Sequence, residues 1–511
     1  MTRPVVVWFK RDLRVFDHAP LRRAVENGPI LPLYVIEPDY WQQPYASGRQ
    51  WQFLKDSLLA LDHALTRLGQ PLWIAQGPID QVLNQLHSRF DFSQIWSHQE
   101  TGPDWTFQRD RLVKDWCQSH GVHWQECRQH GVVRGLAGRR KWATQWQALM
   151  DEPCIDAPER VIGVGLPDTP AIRCLETSPV APEPSTRVQP GGLEEGMKLL
   201  DSFLTERGRS YRGGMSSPLT AEQVCSRLSA HFSVGSVSLR NAWQASESAR
   251  ISYKAQPTDA RFAASLKSFG SRLHWHCHFM QKLESEPRLE WEPVHRGFIG
   301  LRDKTPDRAG RLERLTLGQT GWPFVDACLR SLAQTGWLNF RMRAMLVAIA
   351  SYHLWLDWVD TAPIFARWFT DFEAGIHFSQ MQMQAGVTGI NANRIYNPIK
   401  QSEDQDPDGQ FIRRWLPELE AVPAPWIHQP WKLPKSKQRA LGCEVGVHYP
   451  EPVGDPVQLA REARARLKAW MAERDLKPEA MRVLTTHGSQ LRQKRPRYGK
   501  KTTSSQLQLE L

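Results

Sequence analysis

The sequence predicts two domains of different class: an α/β domain with a doubly wound parallel sheet, followed by a large all-α domain. Three observations carry this. Short apolar runs alternate with amphipathic stretches over the first 130 residues, the pattern that builds parallel sheets from strand–helix–strand units. From about Leu193 to Arg482 helical spacing dominates and strand patterns nearly vanish. Between these regions, residues 163–192 hold prolines at 167, 170, 179, 182, 184 and 190 with little apolar periodicity, which marks a connecting segment. The 511 residues are also too many for one core.

Taken in order, strands are predicted at 4–9 (PVVVWF), 30–36 (ILPLYVI), 71–75 (PLWIA), 93–97 (SQIWS) and 122–126 (VHWQE). Trp51, Leu54, Leu58, Leu61, Leu65 and Leu68 recur every three or four residues, which puts one apolar stripe of a helix on a core. The sheet is Rossmann-like in its alternation, yet it contains neither G-x-G-x-x-G nor G-x-x-x-x-G-K-[ST], so both phosphate-cradling devices are excluded. Domain bounds follow at 1–130, 131–192 (connector), 193–485 (helical domain) and 486–511 (tail). Ala344 to Trp358 is apolar on nearly every face and predicts a helix buried within a bundle. RQKRPRYGKK, from Arg492 to Lys501, places six positive charges in ten residues; such a tail buries no core and is expected to be disordered.

A formal charge of +11 favours a polyanionic partner such as nucleic acid. Eight cysteines form no C-x-x-C pair, so a disulfide framework is not expected and reduced thiols are. The N-terminal apolar run is too short for a signal peptide, and the stretch from Ala344 to Leu356 is shorter than the roughly 20 residues that span a bilayer. A cytoplasmic monomer with no membrane association is the expectation. The 22 tryptophans far exceed ordinary usage and ask for a reason beyond packing.

W-F-K-R-D-L-R at 8–14, S-R-L-S at 226–229, T-G-W-P at 320–323, T-G-W at 335–337, R-I-Y-N-P at 394–398 and D-G-Q-F-I-R-R-W-L-P-E-L at 408–419 follow one another in a fixed order. Together they resemble the photolyase and cryptochrome family, in a divergent bacterial-type branch, over some four-fifths of the chain. The resemblance implies an N-terminal domain that often carries an antenna chromophore and a helical domain that binds FAD. It further implies UV-damaged DNA as partner, and blue-light-driven repair of pyrimidine dimers by electron transfer from excited reduced flavin. The alternative it leaves open is a cryptochrome-like photoreceptor that signals without repair.

Residue by residue, the resemblance places Tyr211, Cys225, Ser226, Arg227, Leu228 and Ser229 on the FAD phosphates and ribose. Arg343 pairs with Asp371 beside the flavin, Glu373 faces the isoalloxazine edge, and His377 faces flavin N5. Trp275 is the surface on which an extruded lesion stacks, a role suited to an aromatic face. Arg272, Phe340 and Arg341 join it as DNA or lesion contacts, and Trp358 belongs to the chain of tryptophans that reduces the flavin. Read from chemistry alone, Ser226 equally suits a plain helix cap, and His377 a buried ring bonded to a carbonyl. At its ordinary pKa of about 6.5, His377 would titrate near neutrality and make the flavin pH-dependent. His274, His276, Cys277 and His278 suggest a metal only superficially, because alternate residues on a helix point different ways; no metal is expected. The chain departs from the family pattern at Arg272, where a glutamate is usual, at Phe340, where an asparagine is usual, and at Ala344. Met381 and Thr305 stand where two of the three tryptophans of the electron chain are usual.

Overall fold

The computed structural model describes residues 3–165, 171–183, 188–391 and 394–488. Five strands, β1 (Val5–Phe9), β2 (Ile30–Ile36), β3 (Trp73–Gln76), β4 (Gln94–His98) and β5 (His123–Cys127), form one sheet in the order β3-β2-β1-β4-β5. Every pairing is parallel, with Val5 opposite Ile30 on one side and Gln94 on the other. β1 is wholly buried because helices cover both faces of the sheet. Its residues alternate between two cores: Val5, Val7 and Phe9 meet Leu54, Leu58 and Leu61, whereas Val6 and Trp8 meet Leu83 and Val113. The helix Gly48–Leu68 lays the predicted stripe against the first of these cores. Strand order reverses between β1 and β4, and the crevice at the carboxyl ends of those strands is where open α/β sheets place ligands.

Helices make up the rest, as predicted, and two of their positions refine the sequence reading. The segment 131–192 carries a helix, Trp142–Asp151, whose Trp142, Trp146 and Met150 enter the same core as Leu200, Phe203, Phe262 and Leu273. The stretch from Ala344 to Trp358 is buried, but it is not one helix. An α-helix Phe340–Ala348 passes into a π-turn at Ile349–His353, Trp355 adopts a left-handed φ of 54°, and a new helix runs Trp358–Trp368 from an Asp357 cap. The physical reason lies outside the stretch: Arg302 donates to Ser351 O at 2.9 Å, Arg311 to Leu354 O at 2.7 Å and Thr305 to Trp355 O at 2.7 Å. These donors take the carbonyls that a continuing helix would use.

The helix Ala374–Ala385 lies close against the long helix Ala260–Ser285, since a Cβ on Gly375 would come within 2.5 Å of Met280 Cα. That approach brings the His377 and Trp275 helices together. The tail expected from 486 begins inside the helix Lys477–His487, and the remainder, from 489, lies outside the described residues. Among the described residues no helix is long and apolar enough to cross a membrane.

Candidate functional site

The site forms where the 370–377 segment meets the helices Phe340–Ala348 and Ser229–Val234. Arg343 grips Asp371 with two bonds of 2.9 Å, Nη1 to Oδ1 and Nη2 to Oδ2, while its Nε donates to Leu338 O at 2.5 Å. Its guanidinium lies over the Phe369 ring at 4.1 Å. Asp371 is buried; burial works to raise its pKa, but Arg343 and a hydrogen bond from Ser229 prevail and hold it below the usual carboxylate range. Two steps on, Glu373 is buried with Oε2 toward Arg11 and Oε1 without a donor. Burial pushes its pKa up to about 7 against the pull of Arg11.

Of the two readings of His377, the structure bears out the buried ring bonded to a carbonyl and corrects the expected titration near neutrality. Its Nε2 lies 2.9 Å from Ala362 O, so it carries the proton and donates, leaving Nδ1 as an acceptor. Burial drives its pKa down to about 4. The ring is therefore neutral near pH 7, and the predicted titration in that range is absent.

The 211–229 stretch joins this group from the other side. Arg272 lies beside the buried Tyr211, where it works against the burial that raises the phenol's pKa, and Asn339 Nδ2 donates to Met215 O at 3.1 Å and Ser216 O at 2.7 Å. Residues 211–216 thus link Arg272 to the start of the Phe340 helix. Arg207 donates to Cys225 O at 2.5 Å, and Ser226 Oγ accepts weakly from Leu228 N at 3.4 Å. Leu228 precedes the Ser229–Val234 helix and no side chain among the described residues caps it, so the plain-cap reading of Ser226 does not hold. Arg227, at a left-handed φ of 63°, stacks on Trp337 at 4.1 Å and bonds Gln189.

Trp275 is half-buried, lies stacked over Phe279 with centroids 5.6 Å apart, and meets His278 edge-on at 4.8 Å. Phe340 is 53% exposed and Arg341 is half-buried with Nε unpartnered. The exposed Phe340 ring has no polar atom and can only stack or pack, and Trp275 keeps part of its ring at the surface. Trp358 is buried at the start of its helix.

Comparisons with known proteins converge on these segments. The profile described as DNA photolyase matches residues 5–136, and that described as FAD binding domain of DNA photolyase matches residues 269–469. A deoxyribodipyrimidine photo-lyase of Agrobacterium fabrum is 28% identical over 500 residues, covering 92% of this chain and 98% of its own. A cryptochrome DASH of Gloeobacter violaceus is 28% identical over 494 residues, covering 90% and 94%. The solved structure of a bacterial class III photolyase from Agrobacterium tumefaciens superposes with a TM-score of 0.79 at 26% identity, covering 92% of this chain and 98% of that one. The chain belongs to the DNA photolyase and cryptochrome family. Its cofactor is FAD, held by the helical domain.

The residues present fit that photolyase-family cofactor. Glu373 Oε1 and Asn339 Oδ1 are buried acceptors with no donor among the described residues, and buried acceptors need a partner of the kind a ligand N–H or O–H can supply. What the sequence reading left without a role is the WFKRDLR segment. The structure makes it the seam between domains: Arg14 donates to Gly235 O at 2.8 Å, Leu13 N to Val234 O at 3.1 Å, and Arg11 to Ser233 O at 2.6 Å. Its place within a motif was the available signal. Asp12, His18 and His98 form a buried cluster of metal-ligand type, but one Asp12 oxygen takes both rings, at 2.9 and 2.7 Å, and His18 Nδ1 accepts from Leu21 N. These bonds make the cluster a helix cap and a hydrogen-bond junction.

Two cavities lie along the same seam. One of about 90 Å³ sits at the strand-order reversal, lined by Trp8, Tyr34, Glu37, Glu100 and Arg109. Arg109 lines it and is held by Glu100 at 2.6 Å and Glu37 at 3.3 Å. The neighbouring cleft of about 530 Å³, between Glu37, Asp104, Trp105, Glu290 and Trp291, is of ligand-site size.

Proposed function

We propose that this protein is an FAD-dependent, blue-light-driven DNA photolyase that splits UV-induced pyrimidine dimers. The observation that carries the reading is the pairing of surface aromatic rings with buried charge on the same elements. Half-buried Trp275 lies on the helix that also carries Arg272, and exposed Phe340 opens the helix whose Arg343 grips buried Asp371, two residues before buried Glu373. A flipped base needs the former, and a water-excluded redox cofactor needs the latter.

In this reading Glu373 accepts from the isoalloxazine edge, and the Arg343–Asp371 pair braces it. Tyr211, Cys225, Arg227 and Ser229 hold the phosphate and ribose side. Reduced FAD supplies, on absorbing blue light, the electron that opens the dimer. The protein's own work is to orient the lesion on Trp275, keep water from the buried carboxylates and neutralise phosphate with Arg341 and the basic surface. The cleft of about 530 Å³ beside Trp105 and Trp291 is the site we assign to an antenna chromophore, since the cavity of about 90 Å³ lined by Arg109 lacks the volume.

Arg272 favours a second reading. Where a carboxylate acceptor would hold the lesion, this chain has an arginine beside Tyr211, which suits a flavin photoreceptor that signals without repair. Purified protein that shows a flavin spectrum and removes dimers from an irradiated oligonucleotide under blue light supports photolyase activity. A flavin spectrum without lesion loss supports the photoreceptor.

A further inference from the structure

Arg11 leaves the carboxyl end of β1 and crosses into the helical domain. Its Nε donates to Ser233 O at 2.6 Å; its Nη2 donates to Phe372 O at 3.0 Å and reaches Glu373 Oε2 at 3.4 Å. The backbone is pinned as well: Arg11 O accepts from Gln129 Nε2 at 2.6 Å and lies so near Gly235 that a Cβ there would come within 2.1 Å. Gly235 has a φ of 68°, so both its conformation and this approach demand glycine.

Glu373 therefore divides its two oxygens. Oε2 faces the α/β domain through Arg11, and Oε1, buried and undonated, faces the other way. The charged and titratable groups around it are Arg11, Glu100 and Tyr40 from the α/β domain, Cys277 from the long helix, and Asp371 from its own segment, with Asp371 already neutralised by Arg343. Arg11 is the cation nearest to it. Burial and the two carboxylates work to raise the Glu373 pKa, and Arg11 works to lower it.

We propose that Arg11 is a positioning residue for the flavin: from the α/β domain it fixes the Phe372–Glu373 backbone and governs the ionisation of Glu373. The proposal rests on the reading that puts Glu373 at the isoalloxazine edge. An ionised carboxylate there accepts from the flavin and opposes its reduction, whereas a protonated one donates and does not. The flavin midpoint potential thus changes slope with pH where Glu373 titrates, near the pH of about 7 to which its burial brings it.

The test is a spectroelectrochemical titration of the full-length holoprotein from about pH 5 to about pH 11, a range that brackets this carboxyl before and after the expected shift. Wild type should bend near neutrality, and Glu373→Gln should lose the bend. Arg11→Gln should move it upward by roughly one to three pH units, the effect of deleting an adjacent opposite charge, and Arg11→Lys should restore it. Arg11→Met removes the same charge and serves if the Gln protein does not retain FAD. A bend unchanged in Glu373→Gln overturns the placement of Glu373 at the flavin. A bend that Glu373→Gln abolishes but that stays in place in both charge-deleted variants overturns the role of Arg11 alone.

Discussion

Replacing Asp371 by Asn should cost the helical domain about 2 to 3 kcal/mol, near the lower bound for removing one member of a buried ion pair. The structure sets that value. Asp371 receives two bonds of 2.9 Å from Arg343, and its side chain is 4% exposed. The loss stops short of the upper bound because Arg343 is 23% exposed, keeps Leu338 O at 2.5 Å and keeps the Phe369 ring at 4.1 Å. Asn also retains one acceptor for the guanidinium. Urea unfolding followed by flavin release, with wild type and variant at equal free FAD, measures the difference. Because Arg343 holds the carboxyl below its ordinary range, its stabilisation is complete above the unfolded pKa of about 3.9 and is lost as pH falls through the folded value. The difference should therefore stay constant from about pH 5 upward and shrink only in stronger acid. High salt should leave it nearly intact, since a buried pair is poorly screened. A difference below about 0.5 kcal/mol, or one that salt abolishes, would show a surface-type pair and refute the reasoning.

Trp275→Ala should weaken binding of dimer-containing oligonucleotide by about 1 to 3 kcal/mol while FAD stays bound; equal loss of flavin, read from the visible spectrum, would make this ring a core residue. His377→Asn should leave the pH profile of the flavin potential parallel to wild type from about pH 5.5 to about pH 8, because the ring titrates near 4 and is neutral throughout; a difference that changes across that span refutes the assigned proton. DNA affinity should fall steeply between low and physiological salt, with deletion of residues 489–511 lowering nonspecific binding most, because the tail holds six charges in ten residues. A salt-independent affinity, followed by fluorescence anisotropy, contradicts a phosphate-led encounter.

Much of the architecture was legible in the residues because its causes are local. Each predicted strand lies within two residues of an observed one at both ends, since a strand buried on both faces must be a short apolar run between amphipathic helices. The Arg343–Asp371 pair that the resemblance implied does form, whereas Glu373, two residues on, turns its Oε2 to Arg11.

What escaped prediction was decided by partners far away in the chain. No local pattern announces that Arg302 takes the Ser351 carbonyl and ends a helix that apolarity alone would continue. That His377 bonds a carbonyl was one reading of the residues, but which carbonyl was not: Ala362, fifteen residues earlier, fixes the proton on Nε2, and burial lowers the pKa beyond what the residue type implies. Arg11 reads as one more charge in a motif until the fold carries Glu373, 362 residues later, to within 3.4 Å of it. Periodicity records which face of an element is apolar. It is silent on which distant carbonyl or carboxylate a buried polar group must find, and in a low-dielectric interior that partner sets charge, tautomer and helix end alike.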